Sequence, residues 1–368
     1  MKKILHLVPF VGLLFLLHCK TAKTTTAVST EGPSQAVITK QGLLSGFETG
    51  LSANGQPIWC EASAIVYDGQ KLFVANDKDM PDKRSSVFYW NFKNGFADTT
   101  QNAQYLTNPI FKYGKKYEDF AMTPDGKIIF LSTAFDRVKP GTTEWDSYNT
   151  ILYWQVGNEN NPSVLRLNNT DSTSVFLRDK FSKALVSSEF PDGMPYFKTE
   201  GIAATSNMIY FGIREEGKKF DDFKYKIKIL TVPYQIANGA IQLGSSFKVL
   251  ADINMASLDS SLKKPMGISS IEYDRFNNRF LILTSFENGT TLGGYLWTAT
   301  QSDLENNKIN LVRDSDGKPL AFTDKSEDIA IINRKKIIVI HDDDRVKTMV
   351  AGKERQPNQA AYSIVEFK

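Results

Sequence analysis

The sequence has 368 residues, 41% hydrophobic and 23% charged, so it is neither disordered nor collagen-like and is long enough for two ordinary domains or one large β domain. Forty-four basic against 41 acidic residues leave a formal charge of +3, too even for a nucleic-acid binder, whose footprint is a clear basic excess. Two cysteines exclude a disulfide scaffold, and three histidines leave little material for histidine catalysis or a His-rich metal site.

The chain opens on Met1-Lys2-Lys3, followed by a mostly apolar run from Ile4 to Leu17. That run is too short to span a bilayer comfortably and reads as a secretory signal peptide. Its end, Leu16-Leu17-His18-Cys19, resembles a bacterial lipobox, with His18 where Gly, Ala or Ser is usual. The resemblance implies removal of residues 1–18 and diacylation of Cys19. It places the protein in the cell envelope as a membrane-anchored lipoprotein, at the outer membrane or the cell surface. Without it the run is a plain cleaved signal peptide. Residues 19–34, rich in threonine and almost free of apolar side chains, form a flexible tether, because such a segment buries too little surface to fold. In the processed chain His341 is the only histidine, and Cys60, the only unmodified cysteine, reads as a small buried hydrophobe.

Residues 35–368 read as one domain built on a repeat. Five segments align: Glu61–Ile65 leading to Lys71–Ala75, Glu118–Met122 to Lys127–Leu131, and Glu200–Ala204 to Met208–Gly212, then Met266–Ser270 to Arg279–Leu283 and Glu327–Ile331 to Lys336–Ile340. Each is a strand of small apolar residues, a turn, and a β-branched or aromatic strand. The turns use Asp68-Gly69, Pro124-Asp125-Gly126 and Asn277-Asn278. A third strand follows each pair, three of them carrying a Trp at 90, 154 or 297. A weaker fourth follows four of the units, for example near Ile309–Val312. The last unit lacks one, and Ala36–Leu44 is free to supply it. The expectation is an all-β fold, a β-propeller of five four-stranded blades closed by the N-terminal strand. The blades number six if the insertion at about Asp171–Lys198 holds a degenerate one.

Innermost strands line a propeller's channel, and glutamate opens four of the five: Glu61, Glu118, Glu200 and Glu327, with Met266 at the corresponding place in the fourth. Converging carboxylates repel, so they bind a cation, pair with bases or take up protons. An oxygen-rich ring suits Ca²⁺, which makes these four glutamates candidate metal ligands. Arg137, Arg214 and Arg345, just beyond the second strands of their units, are the candidate pairing partners. Asp77, Asp79 and Asp82, the run Asp342-Asp343-Asp344, and Asp314 are read as loop and turn residues, since none has EF-hand spacing. There is no Gly-x-Ser-x-Gly elbow, P-loop, Gly-x-Gly-x-x-Gly or His-Glu-x-x-His.

Glu200-Gly-Ile-Ala203, Gly267-Ile-Ser-Ser270 and Ile340-His-Asp-Asp-Asp-Arg345 resemble a group of bacterial secreted propellers of phytase-like or esterase-like type. That resemblance implies the fold and a Ca²⁺-dependent hydrolase of phosphate or other esters, with its site at the channel mouth. The N-terminus resembles those of spirochaete lipoproteins, which implies binding of a host extracellular protein or small ligand. Two functions therefore stand at this point: a lipid-anchored binding module, or the hydrolase.

Overall fold

The computed structural model describes residues 34–93, 96–97, 103–166, 171–237, 239–289, 291–343 and 348–368. Five antiparallel sheets form the blades. Blade 1 runs outward through Ala62–Tyr67, Lys71–Asn76, Val87–Lys93 and Gln104–Tyr105. Blade 2 uses Tyr117–Met122, Ile128–Thr133, Ile151–Gln155 and Ser163–Val164. Blade 3 has the longest strands, Tyr196–Ala204, Met208–Lys219 and Asp222–Ala237, edged by Lys248–Asp252 and Ala240–Leu243. Blade 4 comprises Gly267–Asp274, Arg279–Asn288 and Thr291–Ala299, edged by Asn310–Leu311 and Ala321–Phe322. Blade 5 takes Ser326–Ile331, Lys336–His341 and Gln359–Phe367 from the end of the chain and Ala36–Ser45 from its start. That closing strand pairs from Ala36 opposite Phe367 to Ser45 opposite Gln359.

The segment at 171–198 is not a sixth blade. It holds the helix Phe176–Ala184, whose Leu177 and Phe181 fill the core between blades 2 and 3. Each of the five interfaces between neighbouring blades has its own apolar core, including the one between blades 5 and 1. Trp154 shows the pattern: it is 2% exposed, meets Phe111 edge-on at 5.5 Å, and meets Phe73 of blade 1 at 6.2 Å across the blade 1–2 interface. The hairpin turns carry the left-handed backbone their sequences call for, at Gly69, Gly126 and Asn278. Among the described residues no helix is long and apolar enough to cross a membrane.

Small residues dominate the inner strands because neighbouring blades crowd there. A Cβ on Gly201 would stand 3.0 Å from Ile271 Cγ2 and 3.2 Å from Gly212 Cα. Every inner strand also carries a β-bulge at the same level, at Ser63, Glu118, Glu200, Ser269 and Glu327, the residue each register skips. A bulge re-aims side chains beside it. It therefore decides what reaches the channel.

Candidate functional site at the channel mouth

The bulges put Glu118, Glu200 and Glu327 in equivalent places, and the other two places belong to Ser63 and Ser269. Glu61 and Met266 are thus not equivalent to the other three positions, as counting along the apolar runs suggested. Glu61 lies two residues before its bulge, where blades 2, 3 and 5 carry Lys116, Lys198 and Lys325. Blade 4 has Gly267 there. A Cβ on it would lie 2.6 Å from Arg214 Cγ, so the blade 3 arginine occupies the space.

Opposite charges then alternate in one chain around the mouth. Arg137 binds Asp136 at 2.6 Å, and Asp136 meets Lys116 at 3.1 Å. Lys116 and Lys198 reach Glu118 at 3.5 and 3.4 Å. Lys198 also binds Glu200, whose other oxygen meets Arg214 Nε at 3.2 Å. Arg214 continues to Glu287 at 3.3 Å, Glu287 to Lys325 at 3.2 Å, and Lys325 to Glu327 at 3.1 Å. In blade 1, Lys78 meets Glu61 at 2.7 Å and Asp77 at 2.8 Å. Of the three arginines, Arg214 pairs with a channel glutamate and Arg137 with Asp136. Arg345 lies outside the described residues. The sequence reading overlooked the lysines, although Lys-x-Glu is spelled out three times, at Lys116, Lys198 and Lys325.

These groups are buried, and burial favours the neutral acid. It pushes Glu118 up to about 7 against the pull of Lys198 and Lys116, and Glu327 up to about 8 against Lys325. Burial opposes ionisation of Glu200 too, but Arg214, Lys198 and Lys325 outweigh it and hold its carboxyl down to about 2. This donor set does not fit a divalent cation. Each of the four candidate ligands, Glu61, Glu118, Glu200 and Glu327, has an ammonium group against it, which would repel the ion.

Beside the charges, between blades 1 and 2, opens a pocket of about 240 Å³. It is lined by Lys78, Asp79, Lys115, Lys116, Arg137 and Tyr148, with the Arg137 guanidinium 4.4 Å over the Tyr148 ring. The remaining acidic positions are structural or paired: Asp79 binds Lys115 at 2.6 Å, Asp82 binds Arg84 at 2.8 Å, and Asp314 closes a turn onto the Asp316 and Lys318 N–H groups. Asp342 and Asp343 are buried rather than solvated, while Asp344 lies outside the described residues. Cys60 is fully buried and its thiol is pushed up to about 12 by burial. His341 is buried against the Ser363 hydroxyl at 2.8 Å, and burial drives it down to about 4.

No family model matches the chain, and no curated protein does. Solved structures similar to it include an α-L-arabinofuranosidase from Podospora anserina at 12% identity and TM-score 0.39, covering 91% of this chain and 96% of that one. A GH62 hydrolase in complex with xylotriose aligns at 11% and 0.42, over 89% and 97% of the two chains. A glycosyl hydrolase from Bacteroides ovatus aligns at 10% and 0.40, over 84% of each. Likenesses this low carry no argument about chemistry.

Proposed function

We propose that the chain is a lipid-anchored cell-envelope propeller that acts as a binding module, presenting its channel mouth to a small polar ligand or to a host extracellular protein. One observation carries the reading: beside the mouth, where Lys116 and Arg137 end the alternating chain of charges, a 240 Å³ pocket is lined by Lys78, Lys115, Lys116 and Arg137 with Asp77 and Asp79 among them. Binding residues commonly sit in such loops on a rigid scaffold. The anchor is supported by the leucine run ending at Cys19 and the threonine-rich tether after it. Metabolic labelling with a fatty acid marks the wild type and not Cys19→Ser, and equal labelling of both rejects the anchor.

The binding site is tested with immobilised host matrix proteins and with thermal-shift screening of small polar compounds. Lys115→Glu, whose partner Asp79 is largely exposed, is expected to abolish capture while the fold still melts normally. Capture that survives this substitution moves the site elsewhere.

A second reading, a hydrolase, has its own support. Glu118 and Glu327 are pushed up while Glu200 is held ionised, and carboxyls driven apart in this way suit an acid paired with a base. Turnover of a chromogenic phosphate or carboxylic ester, lost in Glu118→Gln, would favour it over the binding module.

A further inference from the structure

One residue past the bulges, deeper in the channel, blade 2 carries Asp119 and blade 5 carries Asp328, both fully buried. Blades 1, 3 and 4 offer Ala64, Gly201 and Ser270 at the same place. The next residue in all five strands, Ile65, Phe120, Ile202, Ile271 and Ile329, turns its backbone N–H to one of these two carboxyls. Ile65 donates to Asp328 Oδ2 at 2.6 Å and Phe120 to the same oxygen at 3.4 Å. Ile329 and the Ser270 hydroxyl, the latter at 2.8 Å, donate to Asp328 Oδ1. Ile202 and Ile271 donate to Asp119 Oδ2 at 2.7 and 3.5 Å.

Both oxygens of Asp328 are therefore taken up as acceptors. Asp119 Oδ1 is buried with no donor, and carboxylate oxygens of the two side chains lie within 4.8 Å of each other. Two adjacent carboxylates cannot both stay ionised in such a place, and the one oxygen without a donor is where a proton is needed. From blade 4 the Glu272 carboxyl faces the pair, with its own Oε1 unpartnered, while blades 1 and 3 bring only N–H groups and small side chains. The nearest titratable neighbour thus adds to the repulsion.

We propose that Asp119 and Asp328 share a single proton, held on Asp119 Oδ1 and donated to Asp328, and that this pair is the lock joining all five inner strands at the channel. A cation is a poorer occupant, because the N–H groups that converge here present their positive ends to the same oxygens. The lock holds while the proton is present and loosens when alkali removes it. A carboxyl raised in the fold contributes stability below its unfolded value, and that contribution is lost as pH rises through the folded one.

The two aspartates are chemically alike but not interchangeable, which gives the test. Asp119→Asn keeps an acceptor for Ile202 and Ile271 and puts an amide donor where the proton sits, so it melts within a few degrees of the wild type. Asp328→Asn replaces an accepting oxygen with a donor and orphans buried N–H groups, so it melts lower by roughly 5–10 °C. The difference between Asp119→Asn and wild type grows in the variant's favour from mildly acidic to alkaline buffer, since the wild type alone loses the shared proton. One of the wild type's protonated-carboxyl infrared bands at neutral pH is missing in Asp119→Asn, while the bands of the raised glutamates remain. Should Asp328→Asn fail to fold, the pH comparison and the infrared band decide. The proposal is overturned if Asp119→Asn keeps every carboxyl band, or if its pH profile parallels the wild type's. It is also overturned if Ca²⁺ or Mg²⁺ raises the melting temperature of the wild type but not of Asp119→Asn.

Discussion

Glu200→Gln cuts the alternating chain of charges at its middle link, and the cost can be worked from two sides. The substitution preserves shape but removes the carboxylate that Lys198 and Arg214 share. Arg214 is 2% exposed, and losing one partner of a buried ion pair costs about 3–5 kcal/mol. Glu287 and Glu118 still reach the two bases, so the lower end of that range applies. Independently, the Glu200 carboxyl is held down to about 2 from its ordinary 4.5, which by linkage is worth about 3 kcal/mol at neutral pH. At roughly 2 °C per kcal/mol for a chain of this size, Glu200→Gln should melt about 6 °C below the wild type. The pH dependence carries a definite sign. A lowered carboxyl gives its full stabilisation above 4.5 and loses it as pH falls toward 2, so the two melting curves converge in acid. Thermal unfolding followed by near-UV circular dichroism measures both, and Glu200→Gln combined with Arg214→Met isolates the coupling. Equal melting of wild type and Glu200→Gln at neutral pH would refute the view that the mouth is an internally neutralised network.

The same geometry sets three further expectations. Deleting residues 20–33 should leave melting unchanged, whereas deleting 20–45 strips Gln359–Phe367 of its partner and should yield aggregates on size-exclusion chromatography. Glu327, raised to about 8, stabilises the fold below its unfolded value and loses that contribution as pH rises through 8; Glu327→Gln should flatten the alkaline side of the melting profile. Adding Ca²⁺ or a chelator should leave the melting temperature where it is, since the ammonium groups at the mouth already balance its glutamates. A calcium-dependent rise would contradict that balance.

The architecture was legible because the blades repeat one message: small inner strand, Gly or Asn turn, β-branched or aromatic second strand, and in three of the five a Trp-bearing third strand. Ring closure followed from a last unit short of one strand and a spare strand at Ala36–Leu44, and the observed pairing from Ala36 to Ser45 matches it. The site was only partly legible, for a geometric reason. The apolar pattern does not mark where along a strand the bulge falls. Aligning the runs by their first residue therefore set Glu61, two residues before the blade 1 bulge, against Glu118 at the blade 2 bulge, when its true counterpart is Lys116. A three-residue slip put Met266 in the place that belongs to Ser269. Asp119 and Asp328 escaped notice because each sits inside an apolar strand, where their role depends on N–H groups from other blades. No spacing within one strand records that.

The closing strand also dictates when this fold can be finished. Thr39 and Ile364 touch across 325 residues of chain, so the first strand to be synthesised finds its partner only after the last has been made. Until then Ala36–Ser45 has nowhere to go, and blade 5 stays incomplete. Contacts of such long range are slow to form, and intermediates with open strands are prone to aggregate. A chain truncated before Gln359 can build blades 1 to 4 but cannot close them. The closure therefore acts as a test of completeness, separating finished molecules from fragments by the open edge that only fragments display.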